Sequence, residues 1–204
     1  KYKATREKKA PELYAQIPII QDVLTAYGVP SLSAAGFEAD DILGTLAKKS
    51  AKAGYKTLIV TGDLDTLQLV DENTRVVFFI KGLSQTKVYD PAAIRERYGL
   101  RPDQLIDWKT LVGDNSDNLP GIAGIGEKAA KELLDAFGTV EGIFKALRAG
   151  TVPAKYVKKL EGQKKTAEQM RHLVTIVCNV DLGNFNLKDE ATREANVAAL
   201  LPKL

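Results

Sequence analysis

One stretch of the sequence joins two kinds of chemistry within a few residues: Gly113-Asp114-Asn115-Ser116-Asp117-Asn118-Leu119-Pro120-Gly121-Ile122-Ala123-Gly124-Ile125-Gly126-Glu127-Lys128. Asp114 and Asp117 are carboxylates on a polar turn, and their spacing allows both to reach one metal ion. A glycine-rich run follows directly and leads into a helix predicted over residues 127–137. Exposed backbone N–H groups at such a helix start bind phosphate, so a hard cation beside a phosphate site suggests phosphodiester chemistry.

The same residues also fit a purely structural interpretation. Asp and Asn before a proline are ordinary turn formers, and Gly-x-Gly before a helix is often only a tight connection. The run also imitates a nucleotide-binding P-loop but does not match its pattern. Glu127 lies between Gly126 and Lys128, and Ala129 stands where Ser or Thr is required. An ATP site is therefore not predicted.

Composition and charge describe an ordinary globular chain with an uneven charge distribution. The 204 residues are 45% hydrophobic and 27% charged, which suits one sizeable core or two small ones. The formal net charge of +3 is small. Positive charges nevertheless concentrate in residues 1–9 and 145–171, and the seven acids discussed below lie between these two regions. This pattern suits a polyanion that is held at the sides and processed in the middle.

Several classes of site and location are excluded by residue usage. The single cysteine, Cys178, excludes an internal disulfide and a cysteine-based zinc site, and core packing is its expected role. The single histidine, His172, excludes a His-rich metal site, so any metal must be held by oxygen atoms. No apolar stretch approaches the roughly 20 residues of a membrane span, and no signal peptide is visible. We therefore expect a cytoplasmic protein that does not enter a membrane.

The N-terminal half is predicted to be α/β. A helix with a kink at Pro18 is expected over 11–27, a short strand over 31–34, and a second helix that runs to Ala53. Residues 56–61 form an apolar run that is too short for a helix, and they predict a buried parallel strand. Asp63 and Asp65 follow directly at the end of that strand, where open α/β sheets bind their ligands. Further strands are expected over 75–80 and 86–89, and helices over 91–98 and 103–112, with Trp108 buried.

Beyond the central stretch the chain is predicted to be wholly helical. The expected helices cover residues 127–137, 139–147, 153–160, 163–178 and 193–201. We therefore divide the chain into an α/β part, residues 1–112, and a helical part, residues 113–204. The helical part carries the second basic region.

Seven acids stand at three loops or helix starts of the predicted structure. Oxygen-only ligation of this kind selects Mg²⁺ or Mn²⁺, and packed like charges repel strongly unless cations occupy the site. Seven carboxylates are too many for one ion and suit two, which together can activate a water and stabilise the leaving oxygen of a phosphodiester. The acids are Glu38, Asp40 and Asp41; Asp63 and Asp65; and Asp114 and Asp117.

In four of its stretches the sequence resembles the 5′-nuclease domain of bacterial DNA polymerase I, a member of the flap endonuclease superfamily. The resemblance implies a PIN-like α/β core with a parallel sheet, in which residues 1–27 belong to a helical arch. It implies that a helix–three-turn–helix module for DNA follows. The matching stretches are Tyr2-Lys3-Ala4-Thr5-Arg6, Gly36-Phe37-Glu38-Ala39-Asp40-Asp41-Ile42, Val60-Thr61-Gly62-Asp63-Leu64-Asp65 with Gln68-Leu69, and Gly113 through Lys128.

The resemblance also implies roles for individual residues. Glu38 and Asp40 serve one metal, and Asp41 lies between the two metals or behind them. Lys3 and Arg6 contact the phosphate that is cut. The implied ligands of the other metal are Asp63, Asp65, Asp114 and Asp117, and the implied DNA contacts are Gly121, Gly124, Gly126 and Lys128. The resemblance also allows a monovalent cation at the helix–three-turn–helix module.

The chain departs from the family at its start. The family's domain begins earlier, with a strand and two aspartates that complete the first metal site. We therefore expect the first site to be incomplete within residues 1–204 and the sheet to lack its first strand. Residues 196–204 resemble the end of the nuclease domain, where a polymerase module normally follows.

The expected function is a monomeric 5′→3′ exonuclease and flap endonuclease. It would use two divalent metals on 5′ flaps and on nicked or branched duplexes in replication and repair, without sequence preference. One alternative is a catalytically incomplete fragment that binds DNA and metal without cutting. A PIN-type ribonuclease is a second alternative, and the helical module after Pro120 argues against it.

Overall fold

The computed structural model describes residues 10–82 and 84–187 of the chain, with the α/β part first and the helical part second. Two 3₁₀ helices, Leu64–Leu69 and Pro102–Gln104, supplement the regular elements. The helices and strands are α1 Pro11–Ala26, α2 Ala39–Lys52, β1 Thr57–Thr61, β2 Thr74–Lys81, β3 Gln85–Tyr89, α3 Pro91–Tyr98, α4 Leu105–Val112, α5 Glu127–Phe137, α6 Val140–Arg148, α7 Ala154–Leu160 and α8 Lys164–Val174.

The sheet is mixed, whereas a parallel sheet was expected. Its described strands lie in the order β1-β2-β3, with β1 and β2 parallel and Ile59 opposite Val76. The pair of β2 and β3 is antiparallel. The reason is the short connection from Lys81 to Gln85, since parallel strands need a crossover of a dozen or more residues.

Two strand predictions near β1 are wrong in part or in whole. Ile59 is buried, but Leu58 and Val60 are 58% and 57% exposed, so only one face of β1 is covered by the described residues.

Residues 31–34 form no strand and follow an irregular path between α1 and α2. Extended sequence alone does not make a strand, because a strand needs a neighbour with which to share hydrogen bonds.

Two hydrophobic clusters form the interior, and α4 contributes to both. One cluster lies against the sheet and contains Ile59, Val76 and Leu105. The other lies among the helices of the second half and contains Leu111. Because opposite ends of α4 belong to different clusters, the turn that follows α4 lies at the junction of the two parts.

Trp108 on the same helix is half-buried, where full burial was expected. Its ring packs edge-to-face against Tyr98, with ring centroids 5.6 Å apart. Among the described residues, no helix is both long and apolar enough to cross a membrane.

The helix predicted over 163–178 ends early, and the chain returns to the α/β part. Residues 175–180, which we call the strap, are irregular. Their N–H groups are held by side chains of that part: Gln68 Oε1 accepts from Ile176 at 2.9 Å, and Thr45 Oγ1 accepts from Val180 at 3.0 Å. Cys178 lies on this strap and not in a helix, and it is only half-buried.

Two glycines at the start of the central stretch are in very close contact. Gly113 and Gly121 have positive φ values of 85° and 64°. A Cβ atom on Gly113 would lie 2.6 Å from the backbone nitrogen of Gly121. The loop between them is closed by paired backbone hydrogen bonds of 2.8 Å, from Asp114 N–H to Leu119 O and from Leu119 N–H to Asp114 O. The turn therefore requires glycine at both positions.

We expect Gly113→Ala to destabilise the fold by about 2–4 kcal/mol. Alanine is strained at a positive φ, and its Cβ atom would also clash with the backbone near Gly121. Urea denaturation followed by circular dichroism measures the change. Gly62→Ala is the control, since no atom lies within 4 Å of its Cβ position. Equal midpoints for the two variants would show that this turn does not need the glycine.

Candidate metal and nucleic-acid site

The start of α2 places the first group of acids and uses one of them as a brace. Glu38 is the N-cap residue, and its backbone N–H donates to Asp41 Oδ2 at 2.9 Å. Asp41 Oδ1 accepts from the N–H of Val177 on the strap at 2.8 Å. Both oxygens of Asp41 thus tie backbone segments together, which fits a positioning role behind Glu38 and Asp40.

The second group follows β1 on a turn that the first acid of the pair organises. Asp63 Oδ1 accepts from the Asp65 N–H at 2.9 Å, and this bond caps the 3₁₀ helix that begins at Leu64. Thr66 Oγ1 donates to the Asp63 carbonyl at 2.8 Å. These bonds hold Asp65 at the carboxyl end of β1, the edge at which the sequence predicted ligand binding.

Asp114 in the third group lies in a network of hydrogen bonds. Its Oδ1 accepts from the Ser116 N–H at 2.9 Å and from the Ser116 hydroxyl at 2.6 Å. Burial by itself would raise its pKa, but the hydrogen bonds from Ser116 and Lys109 outweigh burial and lower the pKa to about 2. Asp114 is therefore ionised at neutral pH, as a metal ligand must be.

Lys109 is the residue that sequence reasoning missed. Its ammonium group forms ion pairs with Asp65 Oδ1 and, at 2.9 Å, with Asp114 Oδ2. Burial raises the pKa of Asp65, and Lys109 opposes that rise. Burial acts to lower the pKa of Lys109, but its two carboxylate partners raise it overall, so Lys109 carries a full positive charge. The sequence signal was weak, because a lysine in the last turn of a helix is common for reasons of helix dipole alone.

The seven acids converge on two adjoining cavities. The acidic cavity has a volume of about 300 Å³, and the aromatic cavity, bordered by Phe78, Tyr98 and Trp108, has a volume of about 450 Å³. Asp65, Asp114 and Lys109 line both. The acidic cavity is also lined by Glu38, Asp40, Asp41 and Asp117, and the aromatic cavity by Asp63 and Glu127.

The donor set of these cavities suits a hard divalent cation, since the acidic side chains offer oxygen atoms only. In the described part of the chain, no three Asp, Glu, His or Cys side chains are gathered closely enough to hold one ion in their present positions. Lys109 instead supplies the positive charge between Asp65 and Asp114. The roles assigned to the individual ligands remain predictions.

The three glycines predicted to bind DNA differ in their surroundings. Gly121 is buried and packs against the end of α4, and the expected DNA contact at this position stays a prediction. Gly124 is exposed, has φ 79°, and accepts a hydrogen bond of 2.9 Å from Lys159 Nζ through its carbonyl. Gly126 is the N-cap of α5, with φ −90° and no atom within 4 Å of a Cβ position. Lys128 is exposed in the first turn of α5. The open face at this helix start is therefore formed by Gly124, Gly126 and Lys128.

Two predicted site residues and one predicted helix lie outside the described residues. Lys3 and Arg6 precede residue 10, and the helix expected over 193–201 follows residue 187.

Comparison with known proteins places the chain in a family. Residues 1–99 match the model of the "5'-3' exonuclease, N-terminal resolvase-like domain", and residues 100–198 match the "5'-3' exonuclease, C-terminal SAM fold". The chain therefore belongs to the 5′-3′ exonuclease family. The two family models meet between residues 99 and 100, whereas our division at 112/113 follows the sequence pattern and stays a prediction.

Individual relatives give the same assignment. DNA polymerase I of Caldicellulosiruptor bescii is 39% identical over 197 residues, 96% of this chain and 23% of that protein. DNA polymerase I of Bacillus subtilis is 41% identical over 182 residues, 89% of this chain and 20% of that protein. The chain thus spans between a fifth and a quarter of the length of these relatives.

Among solved structures, the flap endonuclease of bacteriophage T5, in a pseudo-enzyme–product complex with DNA and metal ions, matches with a TM-score of 0.68. It is 21% identical, and the match covers 86% of this chain and 67% of that one. The likeness confirms the expected fold class: an α/β core followed by a helical domain.

Proposed function

We propose that the chain is the catalytic region of a metal-dependent 5′ nuclease, which hydrolyses DNA phosphodiesters near 5′ ends without sequence preference. The observation that carries the proposal is the convergence of seven carboxylates on two adjoining cavities next to the start of α5. Membership of the 5′-3′ exonuclease family supports it, as does the fold shared with a flap endonuclease that binds DNA and metal ions.

The proposed metal ligands fall into two groups, with Glu38 and Asp40 in the first. The second group is Asp63, Asp65, Asp114 and Asp117. Mg²⁺ or Mn²⁺ held there would supply an activated water and neutralise charge on the leaving oxygen. The chain itself fixes the carboxylates: Asp41 braces the start of α2, Asp63 caps the turn that carries Asp65, and Ser116 keeps Asp114 ionised.

DNA would be held on the helical side of the site. The first N–H groups of α5 have no partner within the helix and point toward a ligand that approaches Gly126. Lysines of α7, Lys158 and Lys159, add positive charge to the surface of the same part of the chain. Such contacts go to phosphates and carry no base information, so sequence preference should be weak. Lys3 and Arg6 are proposed to contact the phosphate that is cut.

The biological setting follows from the relatives. In DNA polymerase I proteins the matching segment is about a fifth of the chain, so we propose that this region works beside a polymerase module in the bacterial cytoplasm. Flaps and nicked duplexes left by replication and repair are the proposed substrates, with the protein acting as a monomer. The monovalent cation expected at the helix–three-turn–helix module stays a prediction.

A DNA- and metal-binding module without hydrolysis is the second candidate. It is favoured by one observation: the described carboxylates are not gathered around a single ion in their present positions. The two candidates differ in a direct way, because both bind DNA but only the nuclease cuts it.

A 5′-labelled DNA flap tests the proposal. A 5′ nuclease cuts it in the presence of Mn²⁺ or Mg²⁺ and leaves an RNA hairpin intact. Replacing both Asp63 and Asp114 by Asn should lower the rate by about a hundredfold or more, since even the partners of metal ligands contribute 10- to 100-fold. Asn retains the acceptor oxygens that organise both turns, so the variant should fold.

Asp103→Asn is the matched control, because Asp103 is exposed and pairs with Arg101 away from both acidic groups. Cleavage that survives the double substitution would contradict the ligand assignment. Metal and DNA binding without any cleavage by the unaltered chain would select the second candidate.

Gly126→Val tests the phosphate contact at the start of α5. Its φ of −90° suits any residue and its Cβ position is open, so the variant should fold normally. The new side chain should keep a phosphate away from the N–H groups, which lowers duplex affinity and makes the salt slope shallower by about one. Fluorescence anisotropy on two unrelated duplexes at several salt concentrations measures both quantities.

Ala92→Val serves as the control, since Ala92 is exposed on α3 in the other half of the chain. Both duplexes should be affected equally by Gly126→Val. Unchanged affinity of a folded Gly126→Val variant would rule out this phosphate site.

A further inference from the structure

A lysine ammonium group lies where two of the proposed metal ligands meet. Lys109 Nζ contacts Asp65 Oδ1 and lies 2.9 Å from Asp114 Oδ2. The Lys109 side chain is 18% exposed and that of Asp114 is 17% exposed. The ion pairs are thus shielded from bulk water. Charge interactions in such a shielded position are stronger than at an exposed surface.

The position of Lys109 conflicts with simultaneous metal binding. The ammonium group occupies the Asp114 oxygen that faces Asp65, while the other Asp114 oxygen already accepts two hydrogen bonds from Ser116. A divalent cation needs carboxylate oxygens at about 2 Å, and it repels a positive charge that remains among the same oxygens. The lysine stem is flexible, so the ammonium group can move into either adjoining cavity.

We propose that Lys109 is the counter-ion of this site in the absence of metal. It forms ion pairs with Asp65 and Asp114, keeps them together, and gives up both carboxylates when a divalent cation binds. The inference rests on the proposed function, since it concerns the same ligands. Lys109 is thus a positioning residue that acts through Asp65 and Asp114. The cost of separating its ion pairs lowers the apparent affinity for metal.

Lys109→Met tests the inference, because methionine keeps an apolar stem and removes the charge. Titration of the 204-residue chain with MnCl₂ by calorimetry should show about tenfold tighter binding in the variant, since a competing positive charge is gone. Without metal the variant should melt at a lower temperature than the unaltered chain. Its melting temperature should rise more on addition of Mn²⁺.

Lys56→Met is the matched control. Lys56 Nζ donates to Glu72 O and Asn73 Oδ1, each at 2.9 Å, near the other end of β1. The Lys56→Met substitution removes the same formal charge as Lys109→Met, but at a distance from both cavities. Its affinity for Mn²⁺ should equal that of the unaltered chain.

Nitrogen-15 NMR of the lysine side chains gives a second readout. It is measured on the unaltered chain, and a variant is used only to assign the Lys109 signal. The Lys109 ammonium signal, assigned by its loss in Lys109→Met, should shift on addition of Mg²⁺, while the Lys56 signal stays in place. Equal Mn²⁺ affinities together with an unmoved Lys109 signal would overturn the inference and leave the proposed metal site intact.

Two further outcomes are separable. A Lys109 signal that ignores Mg²⁺ but shifts with a 5′-phosphorylated oligonucleotide would assign Lys109 to substrate binding, and this would overturn the inference. If neither the unaltered chain nor either variant binds Mn²⁺, both the inference and the proposed metal site fail.

Discussion

Repulsion among carboxylates gathered at one edge of the sheet is the constraint on which the site depends. Folding brings Asp65 and Asp114 together from separate loops, and like charges at short range oppose that approach. Lys109 relieves the repulsion in this structure. Positive charge between these carboxylates therefore stabilises the acidic edge, and either Lys109 or a divalent cation can supply that charge.

The backbone around this edge is arranged to hold the carboxylates in place. α4 joins the two hydrophobic clusters and ends at Gly113, whose contact with Gly121 folds the loop that carries Asp114. From the other side, the strap returns to α2 and donates backbone hydrogen bonds to the side chains of Asp41 and Gln68. Contacts distant in sequence thus hold Asp41 and Asp65, and the helical part and the α/β part define the site jointly.

Much of this could be predicted from local sequence. The glycine after α3 and the start of α5 are in place, because Gly99 and Gly126 act through their own backbone and their neighbours. The acids likewise lie at loops and helix starts, since the elements before and after them carry clear periodicity. The chain's membership of the 5′-3′ exonuclease family agrees with the stretches that carried the resemblance.

What the sequence could not show depends on contacts between distant segments. Lys109 is unremarkable on its own helix, and only the fold brings Asp65 to it. The helix expected to reach residue 178 stops at Val174, because Gln68 and Asp41 bind the backbone that would have continued it. Gly121 belongs to a phosphate-binding pattern in the sequence, and only the fold shows that it also packs closely against Gly113. Local patterns name candidates, and tertiary contacts decide their roles.

The central claim is that these carboxylates share a divalent cation whose place Lys109 takes in its absence. The most direct measurement is an anomalous difference map from crystals of the chain soaked in Mn²⁺. The account predicts a peak about 2 Å from oxygens of Asp65 and Asp114, with the Lys109 ammonium group displaced from both. A peak elsewhere, or a peak between these carboxylates with Lys109 still in contact with both, would contradict it.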